Sequence, residues 1–198
     1  MLNLWNKIEG DGNRIWMVNT PPATEPIFLS EVKTYSRIDG SAEDTILESF
    51  ITAVREGTEN YLGKALITQT LTMSMDWWPG IIINLPRPPL ISVAEVRTVD
   101  EDDIATVYSA NNYYTRGDAV HSQLVLKQGV SFPLNTSRDF GGYEIEWVAG
   151  YGAASSVPNA IKEAMKLWVA MIYEQRVPIE QPPDIAKTLM NSYRILPT

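Results

Sequence analysis

The chain has 198 residues, 44% of them hydrophobic and 20% charged, which is a globular balance with enough length for one good core or two small ones. It contains no cysteine, which excludes a disulfide framework and thiolate chemistry, and its single histidine, His121, excludes imidazole pairs and His-rich metal sites. A formal net charge of −8 argues against gripping a nucleic-acid backbone, work done by clustered Lys and Arg, although an acidic chain can stand beside DNA without adhering to it.

Residues 1–27 set Trp5 and Trp16 among Asn, Gly and Asp and run into a proline-rich stretch, a pattern that predicts an extended N-terminal arm. Its start lacks the basic residues and unbroken apolar run of a signal peptide. The two tryptophans read equally as anchors for another surface or as residues folded back onto this chain. Order is expected from Phe28, with Ser30 as N-cap of a short helix and Leu29, Val32 and Tyr35 sharing a side. Ser41 and Asp44 then fit a capping box, and Ile46, Leu47, Phe50, Val54, Gly57 and Tyr61 line the stripe of a long amphipathic helix that Gly63 stops. Arg55 and Glu59 are expected to face away from it.

From residue 66 the period changes to that of strands. Short β-branched runs are expected near 66–75, 81–85, 91–99, 104–108, 113–116, 123–127 and 143–149, separated by turn residues, which predicts a small antiparallel sheet or barrel. In the run 91–99, strict alternation puts Val93, Glu95, Arg97 and Val99 on one face. Asp100, Glu101, Asp102 and Asp103 form the acidic tip of a hairpin; no glycine supplies the sharp turn of a calcium loop, so a solvated tip is the simpler reading. Glu144 and Glu146 share a strand face near Trp77, Trp78 and Trp147, which suggests a carbohydrate-binding β module as the alternative function. No phosphate-cradling loop and no catalytic constellation is evident, so no enzyme, metal or cofactor is expected.

Residues 158–176 predict a helix with Pro158 in its first turn and an apolar surface nearly all round in its second half, an element for other helices or neighbouring subunits to cover. Its charges, Lys162, Glu163 and Lys166 among them, argue against a membrane span. Trp168, Met171, Ile172 and Tyr173 are its candidate subunit-interface or core residues. A last helix over 184–193 places Ile185, Leu189 and Met190 on one stripe. The order helices, strands, helices predicts an α+β fold: a small α-helical bundle from 28–64 plus 156–198, with an inserted antiparallel β-rich subdomain over 65–155.

Several segments in order carry a resemblance. Residues 29–33 and 37–39, then 43–47, then 59–70 with Gly63-Lys64-Ala65-Leu66, then Leu85-Pro86-Arg87-Pro88-Pro89, Tyr113, Ala149-Gly150-Tyr151-Gly152, 157–162 and Tyr173-Glu174 together resemble the tailed-phage head-to-tail connector (adaptor) family, also found in gene transfer agents. The resemblance implies a non-enzymatic neck protein of the virion, assembled in the bacterial host cytoplasm. It implies a ring of copies of itself, dodecameric, below the portal protein and above a stopper or tail-completion protein, with DNA passing through. It also makes the C-terminal segment, Tyr193, Arg194, Ile195 and Leu196, the candidate for portal docking. From the charge, the acids at 100–103 are expected to face the bore, where repulsion lets DNA pass.

Overall fold

A computed structural model describes residues 14–133, 138–176 and 181–195. They fall into two compact units, one drawn from the spans Met1–Pro21 and Gln69–Ala149, the other from Pro22–Thr68 and Gly150–Thr198.

The helical unit begins with α1 (Leu29–Ser36), where Phe28 is extended and the Glu31 carboxylate accepts its N–H at 2.7 Å. The cap is therefore at Phe28, not Ser30; Ser30 lies within the first turn, and its carbonyl accepts from the Thr34 hydroxyl. The capping box expected at Ser41 and Asp44 does not form either. Lys33 Nζ takes the Asp44 carboxylate at 2.6 Å and also donates to the Gly40 carbonyl, so the acid closes the inter-helix loop instead. The long helix α2 (Asp44–Leu62) stops at Gly63, whose φ of 69° is the left-handed conformation that glycine adopts without cost.

The buried face of α2 is Leu47, Ile51, Val54, Thr58 and Leu62, rotated from the expected stripe; Ile46 is 47% exposed. The rotation is possible because Arg55 and Glu59, expected outside, are buried as a pair, Nη1 to Oε2 at 3.2 Å. Helix α3 (Asn159–Gln175) is preceded by Pro158 and buries Ile161, Ala164, Met165, Trp168, Val169, Ala170 and Ile172. A Cβ at Gly57 would meet the Trp168 ring at 2.5 Å, so the missing side chain of Gly57 is what lets the indole lie on α2. Helix α4 (Asp184–Met190) turns Ala186 and Met190 inward, four apart, and leaves Ile185 61% and Leu189 40% exposed, so of the expected stripe Ile185, Leu189 and Met190 only Met190 is inside.

The other unit holds two antiparallel sheets. The larger is ordered β1 (Arg14–Thr20), β2 (Gln69–Met75), β8 (Tyr143–Ala149), β4 (Leu90–Val99), β5 (Ala105–Val107); the smaller is β3 (Ile82–Asn84), β7 (Ser122–Leu126), β6 (Tyr113–Gly117). Residues 14–20, expected within an arm, are thus an edge strand. Trp16 pairs in register with the buried Met73, and the Arg87 guanidinium lies 5.2 Å from the Trp16 ring centre, so this tryptophan packs on its own chain; Trp5 lies outside the described residues. Strands β2 and β8 alternate buried and half-buried along their whole length. Strand β4 does not keep one face: register shifts between Leu90/Ser92 and Val93/Glu95 align Val93 with Trp147 but Glu95 with Glu146. The expected grouping of Val93 and Val99 with Glu95 and Arg97 is lost, and Val96, Thr98 and Val99 are buried.

Candidate functional site

The acidic hairpin between β4 and β5 forms where the sequence places it, but its four acids are not equivalent. Asp100 Oδ1 accepts from the N–H groups of Asp102 and Ile104 at 3.0 and 2.8 Å and so builds the turn. Asp103 sits at φ 61° with its carboxylate on the Arg138 guanidinium. Glu101 and Asp102 remain exposed at the tip.

At the C-terminal end, Arg194 stacks over Tyr61 at 4.7 Å and the Ile195 N–H donates to the Leu62 carbonyl at 3.0 Å. Tyr193 packs part-buried against the helical core. This segment is clipped to the end of α2, and Tyr61 Oη adds a bond to Asn191 at 2.6 Å; Leu196 lies outside the described residues. In α3, Trp168 and Ile172 are spent on the chain's own core at 2% and 8% exposure. Met171 and Tyr173 are half-buried, and the Tyr173 hydroxyl donates to Glu43, which holds the phenol above its usual pKa.

A polar knot lies inside the helical unit where the sequence pattern gives two outward-facing charges. Arg55 Nε bonds Glu25 at 2.9 Å, Glu25 also accepts from Thr52 at 3.0 Å, and Glu59 accepts from the Leu66 N–H at 2.8 Å. The knot ties the chain before α1 and the chain after Gly63 to one buried guanidinium. The spacing of Arg55 and Glu59, four apart on a helix, was the available signal.

The tryptophan platform expected at 77, 78 and 147 does not exist. Trp147 is fully buried on the inner face of β8, opposite to Glu144 and Glu146. Trp78 donates Nε1–H to the Gly80 carbonyl at 2.8 Å and packs against Tyr108 and Tyr143, leaving only Trp77 open, at 54%. A recess of about 290 Å³ beside β5 is lined by Tyr108, Asn112, Phe132 and their neighbours, with no acid, imidazole or cation among them. Among the described residues no group of His, Asp and Glu is placed to hold a metal ion, and no helix is long and apolar enough to cross a membrane.

What the β unit does present is two outer faces. Across the larger sheet one row reads Ile15, Ser74, Glu144, Arg97, Val107 and the next Met17, Thr72, Glu146, Glu95. Arg97 Nε holds Glu144 at 2.6 Å, which raises the guanidinium pKa further, and its Nη1 lies 3.6 Å from Glu95. Across the smaller sheet the rows are Ile82, Val125, Tyr114 and Asn84, Gln123, Arg116, with Lys127 Nζ 4.7 Å above the Tyr114 ring.

The sequence profile of the phage gp6-like head-tail connector proteins matches residues 26–123. Among solved structures, a chain from the neck of an empty gene transfer agent particle computed with C6 symmetry superposes with a TM-score of 0.78 at 24% identity, over 92% of this chain and 97% of that one. A chain from the virion of a native gene transfer agent particle gives 0.78 at 22%, over 92% and 96%. One from the neck of a native particle computed with C12 symmetry gives 0.68 at 24%, over 92% and 97%. No curated protein matches the chain. The α+β architecture is therefore that of these neck chains along nearly the whole of both lengths.

Proposed function

From the likeness of residues 26–123 to the phage gp6-like head-tail connector family, we propose that the chain is a virion neck adaptor, a structural protein that joins head to tail in a tailed phage or gene transfer agent particle. The observation that carries the reading is that a family match over the first helices and most of the strands coincides with a fold shared, at 92% coverage, with chains of gene transfer agent necks. The surfaces agree with a role in fitting against other proteins: the exposed groups lie on sheet faces, a hairpin tip and the outer side of α4 instead of converging in a cleft.

In this reading copies of the chain form a ring, the portal ring of the head lies on one side, and a stopper or tail-completion protein lies on the other. The C-terminal segment is the portal-facing element: Arg194 and Ile195 hold its start on α2, and Ile185 and Leu189 offer an apolar pair beside it. The role involves no turnover of a substrate. Electron microscopy of the full chain with and without a portal ring tests it. The expected result is a ring of this chain stacked on the portal; a chain that neither forms a ring nor co-sediments with the portal overturns the reading.

A further inference from the structure

Resting on the ring reading, we infer that the ring closes through the β unit, the outer face of the five-stranded sheet of one copy seating on the outer face of the three-stranded sheet of the next. The inner faces are joined by a run of aromatic contacts. Tyr143 of β8 meets Trp78 at 6.0 Å, Trp78 meets Tyr108 at 6.2 Å, and Tyr108 stacks on Tyr113 of β6 at 6.5 Å. Each sheet buries the side opposite to its outer rows, with Met73, Ile145 and Trp147 inside on the larger and Ile83, Leu124 and Leu126 inside on the smaller, which sets the two outer faces on different sides of the unit.

The two faces are unlike, and their charges complement. The large face sets Glu95, Glu144 and Glu146 against the single cation Arg97, and Glu95 stands directly opposite Glu146 across β4 and β8, an arrangement of like charges that destabilises a strand pair. Arg97 is already committed to Glu144 and Glu95. The small face carries Arg116 and Lys127 and no carboxylate in its rows, and Arg116 makes no ion pair with any described residue. Both faces also expose apolar side chains, Ile15 at 49% and Met17 at 59% on one, Ile82 at 55% and Tyr114 at 62% on the other. A surface matched to itself gives a two-fold dimer. Two different matched surfaces on different sides of one body give a head-to-tail contact, which makes a ring when the rotation closes.

The test uses charge reversal and cross-linking in the full chain. Glu146→Lys and Arg116→Glu each place like charges across the joint, and each should reduce ring formation on a portal by on the order of tenfold or more; combining them restores opposite charges and should recover the ring. Because the chain has no cysteine, Thr72→Cys with Gln123→Cys in one chain should give a ladder of disulfide-linked multimers under a mild oxidant, while either alone gives no ladder. Both reversed positions are on sheet faces, and an unchanged melting curve separates a lost contact from a lost fold. Normal rings from both reversals, or rings without a ladder, overturn the assignment of faces and leave the ring reading standing. Failure of the unaltered chain to form any ring on a portal overturns both.

Discussion

The helical unit and the β unit solve burial in opposite ways. In the helical unit α3 turns seven side chains inward, α2 gives up a side chain at Gly57 to admit the Trp168 indole, and even a guanidinium is enclosed with its carboxylates. Little is left over for a partner beyond the outer side of α4. In the β unit β2, β7 and β8 alternate buried with half-buried residues while β1 and β5 bury none, so each of the two sheets leaves an outer face. One chain thus separates a body whose side chains are used up internally from one whose surface is available to other molecules. Substitutions should divide the same way: severe for folding in the first, severe only for assembly in the second.

The largest effect that would sharpen this contrast is at Trp168. Trp168→Ala removes a side chain that is 2% exposed and should cost about 3–5 kcal/mol of stability in chemical denaturation. Gly57→Ala should cost about 1–3 kcal/mol by overpacking against the same ring, and should become neutral when combined with Trp168→Leu, because the clash at 2.5 Å is with the indole. Additive losses would break the claim that Gly57 exists to admit the ring.

A comparable loss is expected at the buried ion knot. Arg55→Ala takes the cation from Glu59, whose side chain is 8% exposed, and should cost roughly 3–5 kcal/mol, whereas Glu25→Ala, at a side chain 29% exposed, should cost about 1 kcal/mol. Equal losses in thermal melts would mean that the knot is not centred on the guanidinium.

The smallest effect belongs to the β unit, at the turn between β6 and β7. The Asp118 carboxylate accepts the backbone N–H groups of His121 and Val120 and the His121 ring, and these bonds lower its pKa from 3.8 to about 2. A depressed carboxyl pKa means that its contribution to stability is present above about pH 3.8 and is lost as pH falls through about 2. NMR titration of Asp118 should give that midpoint, and His121→Ala should raise it only part of the way, since the backbone donors are untouched. A return to the usual carboxylate range on that substitution would make the imidazole, not the turn, the cause.

Element type was legible from local pattern. The strand Tyr143–Ala149 was read at its full length, the end of α2 at Gly63 follows from the left-handed cap that glycine permits, and the β4–β5 hairpin follows from its acidic turn. Parity along β8 alone already set Trp147 against Glu144 and Glu146, so the failure of the tryptophan platform could have been seen without coordinates.

The sequence by itself determined where the helices and the strands from β2 to β8 lie, because those follow from residues a few positions apart. Tertiary structure decided which side of α2, α4 and β4 is inside. Both sides of α2 carry apolar residues, and burying the side of Ile51 and Leu62 also encloses Arg55 and Glu59, which is tolerated because each has its bonds with Glu25 or the other. Likewise β4 changes faces because bulges shift its register against β8, and residues 14–20 become a strand because β2 offers a free edge beside them. Burial is a property of pairs brought together from distant parts of the chain, and a local period records only that some face is apolar, not which partner arrives to cover it.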